Sequence, residues 1–132
     1  MRDKPSLTAA DAEKAMNACK AEAQKNNWTV SIAILDEGGH LLAFHRMDGA
    51  PPISIEVSIG KARTSVMTRR PSKFFEDRVK ERPAFANFPA GVLVQGAVPV
   101  TYRNECVGAI GVSGVQSHED EQIAQAGVKA LG

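Results

Sequence analysis

The chain has 132 residues, 43% hydrophobic and 23% charged, and its sixteen basic and fifteen acidic residues leave a formal net charge of +1. This is the size and composition of one soluble domain, 1–132, with a single core, and near-neutrality excludes the global field that would gather nucleic acid. No run approaches the ~18 apolar residues of a membrane span, and the opening MRDKPSLTAADAEK lacks the apolar segment of a signal peptide, so a cytoplasmic protein is expected. Cys19 and Cys106 lie far apart without a CxxC spacing and read as two reduced, buried thiols.

In chain order, a helix is expected from Thr8, where Thr8-Ala9-Ala10-Asp11 resembles a capping box and Ala12, Ala15, Met16, Cys19 and Ala23 repeat at helical spacing. Asn26-Asn27 stops it. Trp28, Val30, Ile32 and Ile34 then alternate with Thr29, Ser31 and Ala33, the period of a strand with one buried face. Asp36-Glu37-Gly38-Gly39 makes a tight turn, and His40 to Met47 is the returning strand. Pro51-Pro52 ends that strand, because proline cannot donate a ladder hydrogen bond.

A second helix is expected from Ser54, with Ile55, Ile59, Ala62 and Val66 as its apolar face and Lys61, Arg63, Thr64 and Ser65 on its other sides. Arg70-Pro71 ends it. Ser72 caps a short helix to about Glu81, and Arg82 to Pro89 reads as ordered but irregular. Val92-Leu93-Val94, Val98 to Tyr102 and Cys106 to Ser113 read as strands, and Ser117-His118-Glu119-Asp120 caps a closing helix. Hairpin connections favour an antiparallel sheet covered by helices.

His45, Arg46 and Asp48 sit where the second strand meets the second helix, and the site is expected there. In a continuous strand Arg46 and Asp48 share a face, either as an ion pair or as a carboxylate clamp in which Asp48 orients the ligand or acts as a base; Lys61 would add a second positive charge. His45 is the one candidate for an axial iron ligand, since no pair of histidines has metal-binding spacing. Proton-transfer chemistry would fall to Asp48, Glu56 or His45, because there is no nucleophile elbow. Between Lys61 and Arg82, eight basic side chains stand against three acidic ones, which is either a solvated helical face or a site for a small anion.

The combination of VSIAILDEGGHLLAFHRMDGAPP, SIEVSIGKARTSV, and ECVGAIGVSG followed by the DEQIAQAG helix resembles the GlcG/HbpS-like heme-binding family, which also forms the C-terminal domain of PduO-type corrinoid adenosyltransferases. The resemblance runs from Leu7 to Leu131. It implies an α+β, profilin-like fold: a five-stranded antiparallel sheet flanked by helices, assembled as a homo-oligomer, a dimer or a higher even number. It also implies a ligand such as heme, a related tetrapyrrole or another small anionic molecule. The family's recurrent polar positions fall on Arg46, Asp48, Gly49, Lys61 and Ala62. Where the family carries consecutive glycines, this chain has Gln95-Gly96-Ala97, so Gly96 keeps a place for a ligand to approach the backbone and Ala97 adds a methyl group. The alternative is a cofactor-independent lyase, isomerase or hydrolase of an aromatic or organic-acid catabolic pathway, using the same pocket.

Overall fold

A computed structural model describes residues 1–132 as four α-helices, one 3-10 helix and four strands. The order is α1 (Ala9–Lys25), β1 (Ser31–Asp36), β2 (Leu41–Arg46), α2 (Ile53–Thr68), α3 (Ser72–Glu81), the 3-10 turn Pro83–Asn87, β3 (Ala97–Tyr102), β4 (Glu105–Ser113) and α4 (Ser117–Ala130). The strands pair antiparallel in the order β2-β1-β4-β3. One face carries the larger core, in which Ile32, Ile34, Ile110 and Val112 meet Ala15, Cys19 and Ile123 of α1 and α4. On the other face Leu35 and Ala109 meet Ala62 and Val66 of α2. The sheet is therefore a middle layer between two helical ones.

Thr8 starts α1 as its pattern predicts, with its hydroxyl 3.0 Å from the Asp11 amide and the Asp11 carboxylate 2.9 Å from the Thr8 amide. The hairpin turn closes on Asp36, whose carboxylate accepts from the amides of Gly38 and His40, while Gly39 takes a φ of 84°. Both strands are shorter than their apolar patterns: β1 opens at Ser31 rather than Trp28, and β2 ends at Arg46.

Two expectations are corrected. The sheet has four strands, not five, because Val92-Leu93-Val94 forms no strand. The Val92 amide donates to the Gly60 carbonyl at 3.0 Å and the Thr64 hydroxyl donates to the Val92 carbonyl at 2.8 Å, so α2 takes the groups that a neighbouring strand would need. The second correction concerns α2 itself. Its buried positions are Ser54, Ser58, Lys61, Ala62, Thr64, Ser65 and Val66, whereas Ile55 and Ile59 are only half-buried. Small side chains let this helix lie close to the glycines of β4: a methyl group at Gly111 would strike the Ser58 carbonyl and come within 2.7 Å of the Ala62 amide nitrogen. Ser54 and Ser72 are not caps but interior links. Ser54 joins Ser31 at 2.7 Å, and the Ser72 hydroxyl accepts from the Ala97 amide at 3.0 Å.

Candidate functional site

Edge strand β2 and helix α2 frame an open shelf. The β1–β2 register pairs Phe44 with Ala33 and Arg46 with Ser31, which places both side chains on the α2 face of the sheet. Helix α2 packs over β1, β4 and β3, so that face of β2 is left open, with Phe44 half-buried and Leu41, opposite Leu35, and Arg46 exposed. Across from them, Ile55, Ile59 and Arg63 follow at four-residue spacing along one stripe of α2. The Arg63 end of this stripe reaches the hairpin turn, its guanidinium 3.6 Å from where a Gly39 side chain would begin. At the opposite end, Arg46 stands beside the Ser31–Ser54 link at the start of α2. The shelf thus has an apolar floor with a cation at each end. Neither Arg46 nor Arg63 has a carboxylate partner among the ion pairs of the chain.

The remaining predicted residues are not brought together there. His45 pairs with Ile32 and lies half-buried on the opposite, α1-facing side of β2. Asp48 is exposed in the turn that follows; β2 stops at Arg46, so the two do not share a strand face and form no ion pair. Glu56 is exposed on α2. Asp48, Glu56 and His45 therefore assemble no acid–base pair within one chain.

Lys61 and Gly96 belong to the interior. Lys61 is 2% exposed, and its ammonium donates to the Asp120 carboxylate and to the Val112 carbonyl, both at 3.0 Å. Gly96, at a φ of 143°, packs against that ammonium, which would lie 2.7 Å from any side chain added there. The bare backbone at Gly96 accommodates Lys61, and the charge of Lys61 is neutralised inside the fold. Asp120 completes this arrangement, its second oxygen accepting from the Val115 amide at 3.1 Å. Burial pushes its carboxyl above the usual range, more than the attraction of Lys61 lowers it. In sequence Asp120 looks like one more acid in a helix's first turn, and only the approach of α2 to α4 distinguishes it.

A cavity of about 320 Å³ lies elsewhere, between the N-terminal segment, β3 and the end of α4, lined by Leu7, Asp11, Val100, Tyr102 and Leu131 among others. No predicted site residue reaches it.

A family model described as "Haem degrading protein HbpS-like" matches residues 7–129. Protein GlcG of Escherichia coli K12 is 45% identical over 114 residues, covering 86% of this chain and 85% of GlcG. Among solved structures, a double mutant of Streptomyces reticuli HbpS superposes with a TM-score of 0.93 at 34% identity, covering 100% of this chain and 91% of that one. A PduOC:heme complex superposes with a TM-score of 0.86 at 25% identity, covering 96% of this chain and 95% of that one. Sequence pattern, fold and relatives agree: the chain belongs to the HbpS-like family, with GlcG as a relative.

Proposed function

We propose that this protein binds heme or a related anionic tetrapyrrole on the β2–α2 shelf, and that it does so as a cytoplasmic homo-oligomer, a dimer or a higher even number. The observation that carries the reading is the pair of unpartnered guanidiniums, Arg46 and Arg63, at the two ends of an apolar floor made by Leu41, Phe44, Ile55 and Ile59. A flat apolar ring system with carboxylates on its rim has the matching chemistry: apolar faces leave water, and guanidinium recognises carboxylate through paired hydrogen bonds. The family description and the heme complex of a structural neighbour support the same ligand class.

The fit is to the ring and its carboxylates rather than to the iron. The imidazole of His45 faces away from the shelf, so a heme seated there would be held by packing and charge. What bound heme would supply is its iron and porphyrin chemistry. The residues of this chain bind the rim, orient the ring and exclude water from one face.

A heme titration followed by absorbance tests the reading. A saturable Soret shift at fixed stoichiometry is expected, weakened roughly tenfold by Arg46→Ala through the loss of one charge-assisted contact and unchanged by His45→Ala. Binding that never saturates, unaltered in both variants, would overturn the heme reading. Loss of binding in His45→Ala alone would move the ligand to the α1 side of β2.

A further inference from the structure

Eight basic side chains lie between Lys61 and Arg82, and the shelf uses one of them, Arg63. The three acids of the stretch are already engaged. Asp77 pairs with Lys73 at 3.0 Å, Glu81 with Arg78 at 3.6 Å, and Glu76 accepts from the Gln95 amide at 3.0 Å. Lys61 is neutralised by Asp120, and Arg69 donates to the Val66 carbonyl at 3.0 Å. Arg70 and Arg82 have no carboxylate partner. They lie over phenyl rings instead, Arg70 at 4.4 Å from the Phe74 centroid and Arg82 at 5.1 Å from that of Phe85. A guanidinium held by a ring's quadrupole is fixed in place while its N–H donors stay free for an anion.

The rings beside Arg82 form a fixed platform. Phe88 stacks on buried Phe75 at 5.1 Å and on Phe85 at 5.4 Å, with interplanar angles of 23° and 29°. Pro83 opens the 3-10 turn and Pro89 follows Phe88, while the amides of Phe85 and Phe88 donate to the carbonyls of Arg82 and Phe85, both at 2.9 Å. The backbone therefore sets both rings before any ligand arrives. Phe88 is nevertheless 40% exposed, and a groove of about 210 Å³ lies open against Arg82, Ala84, Phe85 and Phe88. We propose that this groove binds a small aromatic carboxylate, one ring bearing one carboxylate, at a site separate from the β2–α2 shelf. The ring stacks on Phe85 and Phe88, and the carboxylate takes two N–H donors of Arg82. The groove falls below the ~300 Å³ at which sites for drug-sized ligands begin, so it suits a single ring and not a tetrapyrrole. A neutral ring would leave Arg82 without an anion, and an inorganic anion would leave the phenyl floor in water.

The test is an NMR titration of the full chain with benzoate. No heme is present, so the outcome does not depend on the heme reading. Saturable shifts of the Phe85 and Phe88 ring protons and of the Arg82 Nε–H are expected in the millimolar range. Acetate and benzyl alcohol, which each carry half of the probe's chemistry, are expected to bind roughly tenfold more weakly. Arg82→Gln is expected to weaken benzoate roughly tenfold with an unchanged circular dichroism spectrum, and Phe88→Leu, which keeps an apolar floor but loses the ring, roughly threefold. Lys80→Gln, an exposed cation of α3 outside the groove, is expected to change nothing. Shifts that never saturate, or that persist undiminished in folded Arg82→Gln, overturn the proposal. Acetate binding as tightly as benzoate would make the groove a bare anion site and overturns it as well. So does a polyglutamate peptide that displaces benzoate at lower concentration, since the occupant would then be an acidic chain. Failure of benzoate to bind while the Phe88 shifts vary with protein concentration would mean that another copy covers the groove, and overturns it too.

Discussion

The Lys61 ammonium and the Asp120 carboxylate, 59 residues apart in sequence, meet at 3.0 Å in the interior and bind α2 to α4 across the end of β4. Each has a further backbone partner, Val112 for Lys61 and Val115 for Asp120, so both charges are held by more than each other. Breaking a buried pair strands a charge. Lys61→Met, which leaves the buried Asp120 carboxyl without its cation, is expected to cost about 3–5 kcal/mol in chemical denaturation. The double variant Lys61→Met/Asp120→Leu is expected to cost less than the sum of the singles, since no buried charge remains.

The same carboxylate predicts a pH dependence. With its folded-state value raised above 3.8 by burial, Asp120 holds its proton more tightly when folded. Its contribution to stability is therefore fully present below 3.8 and is lost as the pH rises through the raised value. The stability difference between wild type and Asp120→Asn is expected to narrow as the pH climbs from 3.8 towards neutrality. Denaturation curves at several pH values would show it.

At Gly111 the backbone of α2 lies directly against the sheet. Gly111→Ala is expected to destabilise the protein by at least about 1–3 kcal/mol, because the new methyl meets backbone atoms of Ser58 and Ala62 that cannot rotate away. Gly38→Ala is the control. Its methyl would meet chiefly the exposed His40 ring, at 3.2 Å, and thermal melts should separate the two variants clearly.

Cys19 is fully buried between α1 and α4, and burial pushes its thiol up to about 12. Cys106 is only half-buried. A thiol reagent at mildly alkaline pH is expected to modify Cys106 alone in the native protein and both cysteines after unfolding. Rapid native labelling of Cys19 would show that the contact between α1 and α4 opens readily.

Local features were legible wherever one segment settled its own geometry. Thr8 with Asp11 starts a helix by closing hydrogen bonds three residues apart, Asp36 to Gly39 turns on its own carboxylate, and the alternation around Ile32 and Ile34 needs only a core on one side. The family followed from several such segments together. What one segment cannot report is who will claim its backbone and its charges. Val92 to Val94 has the composition of a strand, yet Gly60 and Thr64 of α2 take its hydrogen-bonding groups. The pattern of α2 marked Ile55 and Ile59 for its apolar face and set Lys61 on another side as a cation for a ligand; the structure leaves the two isoleucines half-buried and buries Lys61. Glycine in β4 lets the serine side of the helix approach, and Asp120 arrives from α4 to neutralise the lysine.

The candidate site divides the same way. Arg46 could be read as a ligand-facing cation from its place at the end of a strand, but its neighbours Arg63, Ile55 and Ile59 could not. They join it only because α2 leaves the edge strand uncovered. Composition, hairpin, capping and family were decided by residues near one another in the chain, where covalent geometry does most of the work. Strand number, the interior Lys61–Asp120 pair and the open shelf were decided by packing between distant segments, because burial and hydrogen-bond satisfaction are properties of the whole fold.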